Sequence, residues 1–352
     1  MQNKLTYNCT VLDDGTFVTS ADLSLKDTSG LNKNSFHFIL NQREIKVESF
    51  SQRENVLNFV FQISDDLSIL KFDPSKFVSA KEYPNIILKI DGKPSTNFEQ
   101  EFVDDPYIKD FNHYNYTNGV NQLSYYKYER YSDKKRPLVI FLHGSGERGY
   151  SNKLPLLGND VPKTFHDYIQ QHEESVLLVP QATWSPELNG WFRRDVRSTL
   201  INLIKDTIKF DNIDPNRVYL AGLSNGGAGT WHFAEQHPNL FAAIIPCCGY
   251  IYNDDKEFIE VSGKGRYMKP TESEAAKLKD MPVWAFHASD DPTVNSEGTI
   301  KTISLLKKIG NNKVKETIYD KGVVAPNAHA SWKLAYNTPE LLPWLFSQSK
   351  KG

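Results

Sequence analysis

Cysteine is scarce: Cys9, Cys247 and Cys248 are the only three in 352 residues. An odd, sparse count with two adjacent members is no disulfide framework. The nine histidines are scattered without ligand-like spacing, so no structural metal is expected. No apolar run approaches the ~18 residues that a spanning helix needs. Neither sign of charge prevails. The formal net charge is -2, which argues against a nucleic-acid or anionic-membrane partner. The first residues, Met1-Gln2-Asn3-Lys4-Leu5, lack the apolar core of a signal peptide. Taken as it stands, the chain is expected in the cytoplasm; a secreted protein whose leader had been removed would look the same. What the chain does have is length enough for two domains. Its 39% hydrophobic and 12% aromatic residues suffice for sizeable cores.

The most informative stretch is Arg217 to Gly227. It opens as a short apolar run with the look of a buried parallel strand. It ends in Gly222-x-Ser224-x-Gly226, and Ala228 to Ala234 then reads as a helix. A strand that turns sharply into a helix around a serine is the nucleophile elbow of α/β-hydrolases. Glycines flank the serine where a Cβ would clash. The hydroxyl is thereby held at a strand tip, beside backbone N–H groups of a helix N-terminus. The competing reading, a solvated serine in a glycine-rich turn, lacks a reason for the strand and helix on either side.

Residues 1–105 differ from the rest. Phe36–Leu40, Ile45 and Val47, Val56–Phe61 and Ile86–Ile90 are short β-branched and aromatic runs broken by turn residues. With no helical stripe among them, they predict an antiparallel β-sandwich. The polar, tyrosine-rich stretch from Asp104 to Gly119 marks the boundary, so residues 106–352 form the second domain. There strands alternate with helices. Strands are predicted at Leu123–Tyr128, Pro137–Leu142, Val176–Val179, Arg217–Leu220, Phe241–Ile245, Met281–His287 and Val314–Tyr319. Helices are predicted around Pro162–Gln171, Val196–Ile208, Ile300–Ile309 and Pro339–Ser347. This order means a doubly wound, mostly parallel sheet, with ligands at the carboxyl ends of its strands.

A serine hydroxyl is a poor nucleophile until a base takes its proton, and the base is oriented by a carboxylate. On this fold the chain order is serine, acid, histidine. After Ser224, the acid belongs in the loop beyond His287, which offers Asp290 and Asp291. Between Tyr319 and the final helix only His329 is available as base. His237 comes too early. The residues alone do not separate Asp290 from Asp291, and either could be a helix cap or turn residue. The oxyanion hole needs two N–H donors. One is expected from Asn225 and the other from Ser145 or Gly146, in the loop His143-Gly144-Ser145-Gly146. That loop lacks the spacing of a phosphate or dinucleotide cradle.

Five stretches carry a resemblance: Pro137–Gly149 (PLVIFLHGSGERG), Arg217–Trp231 (RVYLAGLSNGGAGTW), Phe241–Gly249 (FAAIIPCCG), Pro282–Val294 (PVWAFHASDDPTV) and His329–Trp332 (HASW). In this order they resemble the α/β-hydrolase group of bacterial carboxylesterases and "predicted peptidases". That group is related to polyhydroxybutyrate depolymerases and to family 1 carbohydrate esterases such as feruloyl and acetylxylan esterases. The likeness covers about residues 120 to 350. The leading β-rich domain resembles the N-terminal immunoglobulin-like domain of thermophilic bacterial esterases. In the group the acid is the aspartate of an H-G-x-x-D-P segment, which falls on Asp291. Asn225 stands where methionine is common, and Ala288 where glycine is usual. Neither departure removes a catalytic group, because the oxyanion donor is a backbone N–H.

The resemblance implies a cofactor-free serine carboxylesterase acting on short acyl esters or on esters that decorate plant polysaccharides. Its expected partner is a small-molecule or oligosaccharide ester. Gln181, Trp184, Trp191 and Trp332 are expected around the substrate pocket, though aromatic residues at such places more often pack than recognise. Tyr250 to Lys279 is long and polar, either part of a lid or a surface excursion. A serine peptidase is the alternative enzyme, and a binding protein on a hydrolase scaffold the alternative class. For the β-domain three roles stay open: substrate binding, contacts in a homo-oligomer, or one wall of the active site.

Overall fold

Arg136–Leu142 is buried at every position, as is Val176–Gln181. Strands with no solvated face need cover on both sides, and helices supply it. The computed structural model describes residues 3–26, 30–95, 98–186 and 190–350. It divides into two units. The first runs to Asp73, resumes over Ser79–Lys109 and takes in Leu157–Asp160. The second holds Pro74–Val78, Asp110–Leu156 and the described residues from Val161 onward.

In the first unit the strand Lys4–Leu12 alternates half-buried with buried positions along its whole length. Such alternation gives a sheet with one face on a core. A five-stranded sheet runs Glu99–Val103, Lys4–Leu12, Gly15–Ser24, Val56–Phe61, Val47–Arg53. A four-stranded sheet runs Lys93–Pro94, Ile87–Ile90, Phe36–Leu40, Arg43–Glu44. Phe38 of one sheet meets Phe59 and Phe61 of the other edge to face, with centroids 5.0 and 4.9 Å apart. The sandwich departs from the antiparallel expectation in one pair: Lys4–Leu12 lies parallel to Glu99–Val103. These two strands are far apart in sequence, so no tight hairpin forces them antiparallel.

The second unit is built on an eight-stranded sheet. Its strands are β1 (Asn112–Asn118), β2 (Asn121–Glu129), β3 (Arg136–Leu142), β4 (Val176–Gln181), β5 (Ile213–Leu223), β6 (Ala243–Cys247), β7 (Val283–Ala288) and β8 (Val314–Tyr319), in spatial order β1-β2-β4-β3-β5-β6-β7-β8. The β1–β2 and β2–β4 pairs are antiparallel and the remaining pairs parallel. The tyrosine-rich boundary stretch is thus an edge strand of this sheet. The main helices are α1 (Val161–His172), α2 (Arg194–Phe210), α3 (Asn225–Gln236), α4 (Glu297–Lys308) and α5 (Leu341–Ser347). This is the α/β-hydrolase fold preceded by a β-sandwich. No helix among the described residues is long and apolar enough to cross a membrane.

Register fixes where the loops meet. Leu142 pairs with Gly222, Leu223 with Cys247, Cys247 with Phe286, and Ala288 with Tyr319. The carboxyl ends of β3, β5, β6, β7 and β8 therefore lie side by side. The segments that follow them begin at His143, Ser224, Cys248, Ser289 and Asp320.

Candidate active site

The elbow is tight because β5 and α3 meet with almost no space between backbones. A Cβ on Gly222 would run into the Gly226 carbonyl, and one on Gly226 into the Leu142 carbonyl. Ser224 sits between them at φ 54° and ψ −116°, a left-handed backbone that a non-glycine residue adopts only under strain. The turn is pinned from both sides. Ser224 N–H donates to Cys247 O at 3.0 Å and to Cys248 Sγ at 3.2 Å, and Ser224 O accepts from Ala228 N–H at 2.9 Å.

Ser224 Oγ lies 2.9 Å from His329 Nε2, and His329 Nδ1 lies 2.7 Å from Asp291 Oδ2. The Asp291 side chain is fully buried and that of His329 is 12% exposed. Asp291 Oδ1 accepts from the N–H groups of Thr293 and Val294, at 2.8 and 3.0 Å. Burial alone would raise this carboxyl. Hydrogen bonds from His287 and His329 outweigh it and hold the group well below the usual carboxylate range. An ionised carboxylate only accepts, so His329 Nδ1 carries the proton and Nε2 is left to accept from Ser224. The two aspartates that the sequence could not separate take different jobs. Asp290 Oδ2 accepts from Gly322 N–H at 3.0 Å and so ties the acid loop to the histidine loop. Asn327 Oδ1 accepts from His329 N–H at 3.1 Å and shapes the histidine loop from within.

The loop after β3 passes close to the nucleophile. A methyl placed on Gly144 would lie 3.6 Å from Ser224 Cβ. Ser145 and Gly146 follow in a single 3-10 turn, Ser145–Glu147. Asn225 opens α3, where the first turn's N–H groups have no partner within the helix. Both segments expected to form the oxyanion hole therefore flank Ser224. His143 anchors the loop. Its Nδ1–H donates to Gly144 O at 2.6 Å, and its Nε2 accepts from Ala182 N–H at 3.0 Å. Burial, helped by the nearby Arg148 charge and opposed by the bond to Gly144 O, pushes this imidazole down to about 3.

The four residues expected around the pocket separate into two kinds. Gln181 is fully buried, and its amide N–H groups donate to Glu147 O and Asn152 Oδ1. It ties the loop after β3 to β4 and has no exposed surface. Trp191 is also fully buried; its Nε1–H donates to His143 O at 2.9 Å and its backbone N–H to Asn225 Oδ1 at 3.3 Å. It too is scaffold. Trp332 stays partly exposed and stands edge-on to His329, with centroids 5.6 Å apart. Trp184 is 38% exposed, and its Nε1–H donates to Lys76 O at 3.0 Å. A polar groove of about 870 Å³, lined by Arg197, His232, Asp254, Glu274 and Lys277 among others, includes none of Ser224, Asp291 and His329.

Sequence reasoning missed two supports. Pro74–Val78 belongs with this unit, although it precedes it in the chain by many residues. The buried Arg148 binds it, donating through its guanidinium to Lys76 O and Phe77 O at 3.1 and 2.7 Å, while its Nε–H donates to Ser145 O at 2.9 Å. The excursion from Tyr250 to Lys279 forms a hairpin (Ile259–Glu260 with Arg266–Tyr267) and a short helix, Glu272–Lys277. Arg266 O accepts from Asn295 N–H at 3.1 Å, so the hairpin braces the segment that follows Asp291.

Known proteins resemble this chain in sequence and fold. The prolyl oligopeptidase family model matches residues 194–323. A bifunctional acetylxylan esterase/xylanase of Neocallimastix patriciarum is 26% identical over 162 residues, 45% of this chain and 20% of that protein. The chain thus spans about a fifth of the length of that curated relative. Among solved structures, a thermostable esterase superposes with a TM-score of 0.79 at 24% identity, over 99% of this chain and all of that one. A ferulic acid esterase superposes with a TM-score of 0.51 at 16% identity, over 67% of this chain and 96% of that one. These likenesses to solved structures establish the fold. The chain thus has the α/β-hydrolase fold, with sequence likeness to the prolyl oligopeptidase family and to an acetylxylan esterase over part of its length.

Proposed function

We propose that the protein is a carboxylesterase in which Ser224, His329 and Asp291 form the catalytic triad. The observation that carries this reading is the hydrogen-bonded chain from Ser224 Oγ through the His329 ring to Asp291 Oδ2. Ser224 attacks the ester carbonyl carbon while His329 Nε2 takes its proton. Asp291 holds the ring and stabilises the imidazolium. Developing charge on the carbonyl oxygen is met by N–H groups of Asn225 and of Ser145 or Gly146. The imidazolium then protonates the leaving alcohol, and an acyl-enzyme remains. Water, deprotonated by His329, attacks that acyl group and frees the serine. The names of the similar proteins point to acetylxylan and ferulic acid esters as substrates, and the resemblance in the sequence adds other short acyl esters. The prolyl oligopeptidase match favours a second reading, a peptidase, which would use the same groups on an amide.

The test is hydrolysis of p-nitrophenyl acetate, butyrate and octanoate and of methyl ferulate. Wild type would turn over at least one ester, and its chain-length preference would size the acyl pocket. Ser224→Ala abolishes the activity. Asp291→Asn lowers kcat by on the order of 10⁴, since the amide favours the wrong histidine tautomer. Asp290→Asn stays near wild type. Absence of turnover on all four by a folded wild type would reject the esterase and put the peptidase, or a non-catalytic binding role, in its place.

A further inference from the structure

His287 is the penultimate residue of β7, with its side chain wholly out of solvent. It is the second histidine on the triad aspartate. Its Nε2 lies 3.2 Å from Asp291 Oδ2 and 2.9 Å from Val294 O. Both are acceptors, so Nε2 must carry a proton. On the other side of the ring, Nδ1 lies 2.8 Å from Thr299 Oγ1, and that hydroxyl lies 2.9 Å from Gly249 O. Thr299 is itself fully buried in the first turn of α4. The ring is thereby anchored to α4 and to the segment after β6, and its Nε2–H is shared between Val294 O and the acid.

Asp291 Oδ1 is held by two backbone N–H groups, whereas Oδ2 has the two histidines. Both oxygens of a carboxylate swing together about its last torsion, which is broad for aspartate, so each hydrogen bond narrows that swing. The His287 donor adds a restraint at Oδ2 itself, the oxygen that His329 uses. It approaches Oδ2 beside His329, leaving the lone pair that His329 Nδ1–H needs.

We propose that His287 is a positioning residue of the catalytic machinery: its Nε2–H shares Asp291 Oδ2 with His329 and holds the carboxylate in the orientation that the base requires. This rests on the triad reading above. A buried histidine that only fills space would be replaced by a folded apolar variant at no kinetic cost, and that difference is measurable.

The measurement is the rate at which a fluorophosphonate labels Ser224, resolved into kinact and KI, with a thermal melt for each variant. The proteins are wild type, Ser224→Ala, His287→Leu, His287→Gln and Thr299→Val. His287→Leu lowers kinact at least about tenfold, the usual cost of losing an outer hydrogen-bond partner of a reactive group, with KI unchanged. His287→Gln keeps an N–H near the place of Nε2 and recovers most of the rate. Thr299→Val keeps the volume, frees the ring from α4 and gives an intermediate loss. A folded His287→Leu that labels like wild type overturns the proposal, and so does a Gln variant as slow as Leu. Should His287→Leu not fold, wild-type labelling by Thr299→Val overturns it instead. Wild type that shows no Ser224-dependent labelling removes the triad reading itself, a result distinct from His287 insensitivity.

Discussion

His143 is held in one protonation state by its neighbours. Nδ1–H is committed to Gly144 O, and Nε2 must stay bare to accept from Ala182 N–H. A second proton would set two donors against each other inside the fold. Its folded pKa is pushed down to about 3, from an unfolded value of about 6.5. Between those values the unfolded chain binds the extra proton and the folded one does not. The histidine's contribution is therefore complete above pH 6.5 and declines as pH falls toward 3, by up to about 1.4 kcal/mol per pH unit. Urea unfolding followed from pH 7 to pH 4 would show this slope, and His143→Asn would flatten it by one proton. At the residue scale, some of these roles are legible in the letters alone. Ser224 and His329 follow from motif and order, since local turn geometry and strand sequence dictate them. Asp290 and Asp291 are adjacent and alike; the resemblance puts the acid at Asp291, and the physical difference lies in the loop path, which sends one carboxylate to Gly322 and the other to His329. The roles of His143 and His287 depend on partners in other segments of the chain, for which composition and periodicity carry no signal.

At the scale of elements, the elbow stores strain where β5 gives way to α3. A non-glycine residue at φ 54° and ψ −116° carries about 1–3 kcal/mol. Two inactive variants isolate that cost. Ser224→Ala keeps the Cβ and so the strain, whereas Ser224→Gly removes both. Ser224→Gly should unfold at higher urea than Ser224→Ala by about 1 kcal/mol, after allowing for glycine's greater freedom in the unfolded chain. Equal stability, or a less stable glycine variant, would mean that the turn is relaxed. The β3 run, buried throughout, and the β5 run, buried from Val218 onward, are the easiest elements to see in the sequence. Less visible was the start of β5. Ile213-Asp214-Pro215 reads as a turn but continues the strand from Ile213, because the strand's outer end needs no full ladder for proline to join it. The opposite happens at β6, where Phe241 and Ala242 are apolar yet precede the strand and pack as loop residues. In the first unit, the parallel pairing of the first and last strands had no local sign at all.

Across the whole molecule, two short segments change sides. Pro74–Val78 belongs with the hydrolase unit and Leu157–Asp160 with the sandwich unit. A chain beginning at Asp110 would thus lack the Lys76 and Phe77 carbonyls that accept from the buried Arg148. Leaving a buried cation short of acceptors costs about 1–3 kcal/mol. Such a chain should melt below the full-length protein and turn over esters more slowly, because Arg148 also fixes Ser145. Full activity and an unchanged melt from residues 110–352 would show that the segment is dispensable. Sequence composition divides the two halves at a single place, since it records only local texture and cannot see a segment that crosses over. The crossing also bears on descent. Genes gain and lose domains by recombination at one junction. Here a cut at any single junction would leave one unit short of a strip that now travels with the other, so a clean exchange of either domain would need more than one cut.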